Sequence, residues 1–369
     1  MSPDVILDLG CYRTVISLPG SDAIPIIEPT IIADSTEPLI LKPFGSSFSK
    51  LNSERYYGTN ALKYKNVLKL THFLRKHDYY TLAFFLQHLF EKIGKDVEPR
   101  NSGVVLITPA NLTQARKQEL KNILFTTLNL PKIAFLPPAA CVLTALGLDT
   151  GVIIDIGHHS TRIESIYKGF PRIESQFIYS MGGSQITAQL LKQMIPYKKF
   201  QAKSPLFEIA EQVKRDAVQV SENIQFTLQE IERGTKKYDY AFDLPDGTHI
   251  LLNKERFLSS ELFFQPELAR LHSENLIVYI EQSIRAWDRS AVRELCRNII
   301  ICGGGSQIPG LAKRIQILLE VRFPASIKIE IKDTGTEAKT IFWKGAYIIY
   351  QLRQGELGEW ELNPFREEP

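Results

Sequence analysis

Two aspartates, Asp8 and Asp155, close two matching apolar runs, "VILDLG" at 5–10 and "VIIDIG" at 152–157. In each, the aspartate stands two residues before a glycine, Gly10 or Gly157, and a second apolar strand follows. Such a turn presents backbone N–H groups, and the glycine lets the main chain come close to an anion. Two turns of this kind facing one another grip a polyphosphate from both sides. Magnesium favours few carboxylates together with waters and phosphate oxygens, so Asp8 and Asp155 would hold it through water. Taken singly, Asp-x-Gly also closes an ordinary turn. Its repetition on like strands is what points to a nucleotide with a metal. A third piece, "ICGGGSQIPG" at 301–310, sets three glycines between a strand and a helix, where a base or ribose can approach the backbone. It is not G-x-G-x-x-G after an N-terminal strand, so a dinucleotide fold is not indicated.

The elements that position these residues follow from periodicity. "DVILDLG" with "RTVISL" predicts one hairpin, and "GVIIDIG" with "STRIESIY" predicts another. "YYTLAFFLQHLFEKI" carries apolar residues on more than one helical face and predicts a buried helix. "SGVVLITP" and "KIAFLPP" read as strands, and "AACVLTALG" as a helix ended by Gly147. "NLTQARKQELKNILFTTL" reads as an amphipathic helix capped by Asn111. "SQITAQLLKQM" and "LFEIAEQVKRDAVQVSENI" predict one helix each. "YDYAFDLPDGTHILL" predicts a hairpin closed by Pro245-Asp246-Gly247. Further helices are expected at "LIVYIEQSIRAWD", "AVRELCRN" and "FWKGAYIIYQL", and a strand, glycine turn and helix at "NIIICGGGSQIPGLAKRIQILLE". The stretch "KPFGSSFSKLNSE" is loop-rich. Strands alternating with helices argue for mixed α/β layers, and the doubled hairpin for two related lobes sharing a cleft.

Bulk properties narrow the class. The chain has 369 residues, 44% hydrophobic and 23% charged, with a net charge of +3, enough for two domains and a sizeable core. So small a charge calls for neither nucleic acid nor an anionic membrane. Cys11, Cys141, Cys296 and Cys302 form no C-x-x-C pair and lie in apolar stretches, as expected for reduced, mostly buried thiols. The N-terminal residues run into a strand without a basic or apolar leader, and no apolar run approaches about 18 residues. His158-His159 suggests a metal pair, but adjacent side chains point opposite ways and no third ligand is near in sequence, so both are expected to line a surface or cleft.

The three glycine pieces, in this order and spacing, resemble the actin family. "FDLPDGTHILLNKERFLSSELFFQP", "MGGSQIT" and "FWKGA" fall where that family has equivalents, so the resemblance runs from Asp4 to about Leu352. It implies an α/β, actin-like (duplicated ribonuclease-H-like) two-lobed fold with four subdomains and ATP or ADP with Mg²⁺ in the cleft. The first lobe would be 1–150, with a small insertion at about 30–64 and a C-terminal helix at about 340–369 packing back on it. The second would be 151–339, with an insertion at about 183–268. By resemblance, Asp8 and Gly10 match the first phosphate hairpin, and Asp155 and Gly157 the second. Gly183 matches a glycine near the base, Lys214 a lysine near ribose and adenine, Gly303 and Gly304 the nucleotide loop, and Lys339 a lysine near adenine.

The departures carry the functional expectation. The family's phosphate-gripping lysine falls at Val15. Arg13 is the neighbouring cation that compensates in part, if strand alternation points it the same way. The glutamine that positions the attacking water falls at Pro138, which has no polar side chain, and the assisting histidine falls at Arg162. His158-His159 replaces the second hairpin's flexible Asp-Gly, and Arg215 a glutamate. Positioning the nucleophile is most of phosphoryl transfer, so the chain is expected to bind nucleotide and hydrolyse it very slowly or not at all. "EPLILKPFGSSFSKLNSERYY" lacks the Met-rich character of the family's mobile loop, and "ELARLHSENLIVY" puts Glu267, Arg270 and Glu274 where the family has an apolar plug. Burying those charges unpaired is unfavourable, so self-assembly into a filament is not expected. Partners would be actin or actin-related subunits and complex-specific proteins, in the cytoplasmic cytoskeleton. "VEPRNSGVVLITP" and "NLPKIAFLPPAACVLTALGLDTGVIIDIG" resemble the actin-related subunit at the pointed end of dynactin, in particular in the proline that replaces the glutamine. The alternatives are a nuclear actin-related scaffold of a chromatin-remodelling complex and a filament-forming cytoskeletal ATPase.

Overall fold

β1 (Val5–Leu9) and β2 (Arg13–Ser17) form the first hairpin in a computed structural model of the chain. The model describes residues 3–20, 24–38, 55–65, 67–76, 78–94, 97–108, 112–194, 206–243, 247, 249–357 and 360–366. The chain continues through β3 (Ile26–Pro29), β4 (Ile32–Pro38), β5 (Arg55–Tyr57), α1 (Gly58–Leu62) and β6 (Leu68–Thr71). It then forms α2 (Tyr79–Ile93), β7 (Val104–Ile107), α3 (Gln114–Thr127), β8 (Lys132–Leu136) and α4 (Pro138–Ala145). Val5, Ile6 and Leu7 are buried on both faces of β1, which pairs parallel with β7 and antiparallel with β2. That explains an unbroken apolar run rather than an alternating one. On one face, Val5, Leu7 and Ile16 pack with α2 and α3. In α2, Tyr79, Leu82, Ala83, Phe85, Leu86, Leu89 and Phe90 are all buried. Each large apolar side chain buried this way contributes about 1.5–3 kcal/mol. Asp78 caps α2, accepting from Thr81 N at 2.9 Å.

A second sheet follows from β9 (Gly151–Ile156), β10 (Thr161–Tyr167), β11 (Phe170–Pro171) and β12 (Phe177–Tyr179). Next come α5 (Gly183–Met194), α6 (Leu206–Ala217), α7 (Ile224–Glu232), β13 (Tyr240–Asp243), β14 (His249–Leu252) and α8 (Glu255–Leu258). α9 (Leu276–Arg285), α10 (Arg289–Arg297), β15 (Ile299–Cys302), α11 (Leu311–Glu320) and β16 (Ile331–Asp333) complete that part. The strand order is β11-β10-β9-β15-β16, with β12 also on β10. Finally α12 (Ile341–Leu352) and β17 (Glu361–Leu362) return to the first sheet, whose order is β17-β8-β7-β1-β2-β3. The chain thus divides into two units, Met1–Leu148 with Thr340–Pro369, and Asp149–Lys339. A three-stranded sheet, β5-β4-β6, stands apart within the first unit. Among the described residues no helix is long and apolar enough to cross a membrane.

Several sequence expectations need correction. The helix expected over 206–224 is two helices. α6 stops at Ala217, and Gln219 N–H and Val220 N–H donate to Arg256 O (3.1 Å) and Pro309 O (2.8 Å). Asn223 then caps α7, accepting from Phe226 N at 3.1 Å. Val218 and Val220 together with Ser221 and Asn223 disfavour a helix there, and tertiary partners take its backbone groups. The expectation of reduced, mostly buried thiols holds, since Cys141, Cys296 and Cys302 are buried and in no disulfide, with Cys11 exposed in the hairpin turn. Asn111 lies outside the described residues, and Thr113 caps α3 instead. So do Pro109, Pro245 and Asp246, and most of 37–57. Glu267, Arg270 and Glu274 lie exposed on the surface.

β17 closes the free edge of β8, antiparallel, with Glu361 opposite Ile133. Lys117 and Lys121 both reach the Glu361 carboxylate. Asn363 Nδ2 donates to Leu130 O (2.7 Å) and Phe125 O (3.3 Å). α12 packs against α4 so closely that a Cβ on Gly345 would overlap the carbonyl of Cys141. Gly345→Ala is therefore expected to destabilise the chain by about 1–3 kcal/mol, seen as a lower denaturation midpoint at unchanged slope.

Glu28 of β3 is buried and ties three elements together. It accepts from Thr59 N (2.6 Å) and Thr59 Oγ1 (2.7 Å) of α1 and from Lys92 Nζ (2.5 Å) of α2. Burial acts to raise its pKa, but these hydrogen bonds outweigh burial and leave it below the ordinary value of 4.5. A lowered native pKa stabilises the fold above the unfolded value and is lost as pH falls. Glu28→Gln is expected to cost about 2 kcal/mol at pH 7. In chemical denaturation against pH, the gap to wild type should narrow below about pH 4.5.

Candidate functional site

In the first unit Asp8 sits near the end of β1, directly opposite Val15 on β2. Val15 is fully buried and brings no charge to that face. Arg13 lies two residues earlier, half-buried and opposite Pro29, on the same face as Val15 by strand alternation. Gly10 is required at the turn, because a Cβ there would come 2.5 Å from Arg13 O. Thr30 Oγ1 braces the turn, donating to Gly10 O at 2.7 Å and lying 2.9 Å from Thr14 Oγ1. α4 begins at Pro138 with Pro137 as its cap, and no side chain hydrogen-bonds its first turn. One turn in, burial and the nearby Asp8 charge push the Cys141 thiol above the usual range.

Seven of the expected residues belong to the second unit: Asp155, Gly157, Gly183, Lys214, Gly303, Gly304 and Lys339. β9 and β10 set Asp155 directly opposite Arg162. The guanidinium closes on the carboxylate, with Nε at 3.2 Å and Nη2 at 3.1 Å from Asp155 Oδ2. Gly303, at φ +82°, lies on the other side, where a Cβ would collide with Asp155 Oδ1 and the carbonyl of Ile156. The second turn is held from below. Gly183 N–H donates to Gly157 O (3.0 Å) and Ser184 N–H to His158 O (2.7 Å), so α5 spends its first N–H groups on the turn. Gly157 N–H donates across the turn to Ser160 O at 3.0 Å rather than outward. A Cβ on Gly182 would lie 2.7–2.8 Å from Gly157 O, His158 O and Ser160 N, so this corner also admits only glycine. His159 Nδ1 lies 3.0 Å from Ser184 Oγ.

Lys214 Nζ donates inward to Gly183 O (3.1 Å), Thr187 Oγ1 (2.9 Å) and Glu211 Oε1 (2.7 Å). Burial lowers its pKa, against the opposing pull of Glu211. Gly304 is exposed at the tip of the glycine loop. Lys339 is exposed at the end of a short 3₁₀ turn over 335–339, which Gln307 of the loop ties in through the Gly335 carbonyl.

Glycine-only corners at Gly182 and Gly303 are what a backbone cradle for a nucleotide requires, and they fit such a ligand. The magnesium donor set fits less well, because Asp155 is already paired with a cation. Among the described residues no three His, Cys, Asp or Glu side chains are grouped to hold a metal.

A family model described as Actin matches residues 2–354. This chain belongs to the actin family. It is 27% identical over 313 residues to Centractin of Saccharomyces cerevisiae, covering 82% of this chain and 79% of that one. It is 26% identical over 277 residues to Actin-like protein 7A of Rattus norvegicus, covering 75% of this chain and 61% of that one. The chain thus spans less than two thirds of the Actin-like protein 7A relatives that it matches. The fold is the two-lobed, mixed α/β actin fold over nearly the whole chain.

Three features of this actin-family site escaped the sequence reading. The Asp155–Arg162 pair was countable, since a turn over 157–160 sets 155 against 162. Gly182 was visible in "MGG", but nothing in sequence said which glycine meets the turn. The Glu211–Thr187 partnership of Lys214 needs two helices brought together and left no local signal. If Lys214 is held as a buried pair, Lys214→Met should cost about 3–5 kcal/mol by leaving Glu211 unpaired. Adding Glu211→Gln should restore most of that loss, which a double-mutant cycle in denaturant will show.

Proposed function

We propose that the chain is a structural, actin-related subunit of a cytoskeletal assembly that binds nucleotide and turns it over very slowly or not at all. One observation carries the proposal. The two positions that should prepare the attacking water hold Pro138, at a helix start without a polar cap, and Arg162, committed to Asp155. Neither orients or deprotonates a water. The buried Val15 adds to this, because no lysine rises from the first hairpin toward a phosphate. In this reading the nucleotide-contacting residues are Asp8, Gly10, Arg13, Asp155, Gly157, Gly183, Lys214, Gly303, Gly304 and Lys339. Backbone and glycine supply most of the contacts. Lys214 serves chiefly by fixing the Gly183 corner.

The assembly we favour is dynactin, with the chain at its pointed end, in the cytoplasm and in dynein-based transport along microtubules. Similarity to a centractin supports it, as does the proline in "FLPPAAC". The exposed charges Glu267, Arg270 and Glu274 support a subunit that does not polymerise alone. A scaffold role in a chromatin-remodelling complex is the second reading, permitted by the basic pI of 8.5.

Phosphate release from ATP with Mg²⁺ should run about 100-fold or more below that of filament-forming actin, the scale of losing general acid–base assistance. A rate equal to that of actin would end the proposal. In the same buffer the chain should stay in the supernatant on high-speed sedimentation. Affinity purification from cells should recover dynein-adaptor and capping subunits. Recovery of a remodelling ATPase would select the second reading.

A further inference from the structure

The carboxylate on which a divalent cation would depend is already neutralised from within the chain. Arg162 stands directly across the hairpin from Asp155, and two of its nitrogens lie within 3.2 Å of Oδ2. The Gly303 backbone covers Oδ1, and only 11% of the Asp155 side chain remains exposed. Magnesium keeps most of its waters and needs near-octahedral oxygen donors. Here the first oxygen is taken, the second is roofed, and a positive charge already faces the carboxylate. Arg162 is not saturated by this contact. Its side chain is 35% exposed, and Nη1 makes no hydrogen bond to a described residue. A guanidinium is a planar fork suited to phosphate oxygens and stays charged at any physiological pH.

We propose that Arg162 replaces the divalent cation at this site. The chain takes a nucleoside di- or triphosphate without magnesium, with the guanidinium bridging Asp155 and a phosphate. This rests on the reading that the glycine-lined wall of the second unit holds a nucleotide. The same arrangement gives a reason for slow hydrolysis beyond the missing water-positioning groups. A guanidinium pinned to Asp155 contributes one positive charge where a metal ion contributes two, and it cannot reposition as charge develops on the phosphate.

The test is equilibrium binding of ADP and ATP to the purified full chain, with Mg²⁺ and with EDTA. In parallel, Mn²⁺ binding is followed by electron paramagnetic resonance in the presence of nucleotide. The wild type is expected to bind with affinities equal within about 2-fold in the two buffers, and to show no protein-bound Mn²⁺ signal. Arg162→Lys keeps the charge and should behave in the same way. Arg162→Gln should bind about 10-fold or more weakly in EDTA than in Mg²⁺ and acquire a Mn²⁺ signal that Asp155→Asn then abolishes. Release of nucleotide from the wild type on chelation, a wild-type Mn²⁺ signal, or no nucleotide bound in either buffer would each overturn the proposal. The first two outcomes leave slow turnover and the role as a subunit untouched, whereas no binding in either buffer would also remove nucleotide from the proposed function, whose subunit role is read separately by sedimentation and co-purification.

Discussion

The register of a duplicated hairpin decides what each lobe's aspartate meets. In both copies the turn spans the same number of residues, so Asp8 faces Val15 and Asp155 faces Arg162, each seven positions on. Antiparallel pairing brings directly opposed side chains within about 5 Å, so that position decides which side chain the carboxylate meets directly across the hairpin. In the first copy the partner is a buried aliphatic side chain, and in the second it is a guanidinium. One inherited geometry has thus come to hold two different electrostatic environments.

The second unit's wall is unusually self-contained. The first N–H groups of α5 are used on the carbonyls of the hairpin turn, and Lys214 is consumed by Gly183, Thr187 and Glu211. Burying a lysine and a glutamate is tolerable only when each has its partners. The result is a corner fixed by its own hydrogen bonds, with Gly182 and Gly303 packed too tightly for any larger residue.

Much of this was legible in the chain itself. Strands buried on both sides, such as Val5–Leu9, announce themselves as apolar runs, and α2 as apolar residues spread over several helical faces. The hairpins were legible because glycine punctuates them. Legibility failed where tertiary contacts overrode local preference. The break after Ala217 depends on Arg256 and Pro309 accepting hydrogen bonds from residues far away in sequence. The burial of Lys214 likewise depends on α5 and α6 meeting. Arg162 could be matched to a family position from sequence, but its commitment to Asp155 depends on geometry that residue matching does not contain.

β17 has a consequence of its own. Two residues seal the outer border of a six-stranded sheet, fastened by Glu361 to two lysines and by Asn363 to two carbonyls. Peeling that hem away would bare the unpaired amides of β8, a template on which any foreign extended segment can zip. Residues 361–363 therefore occupy an edge that would otherwise offer its backbone groups to another strand.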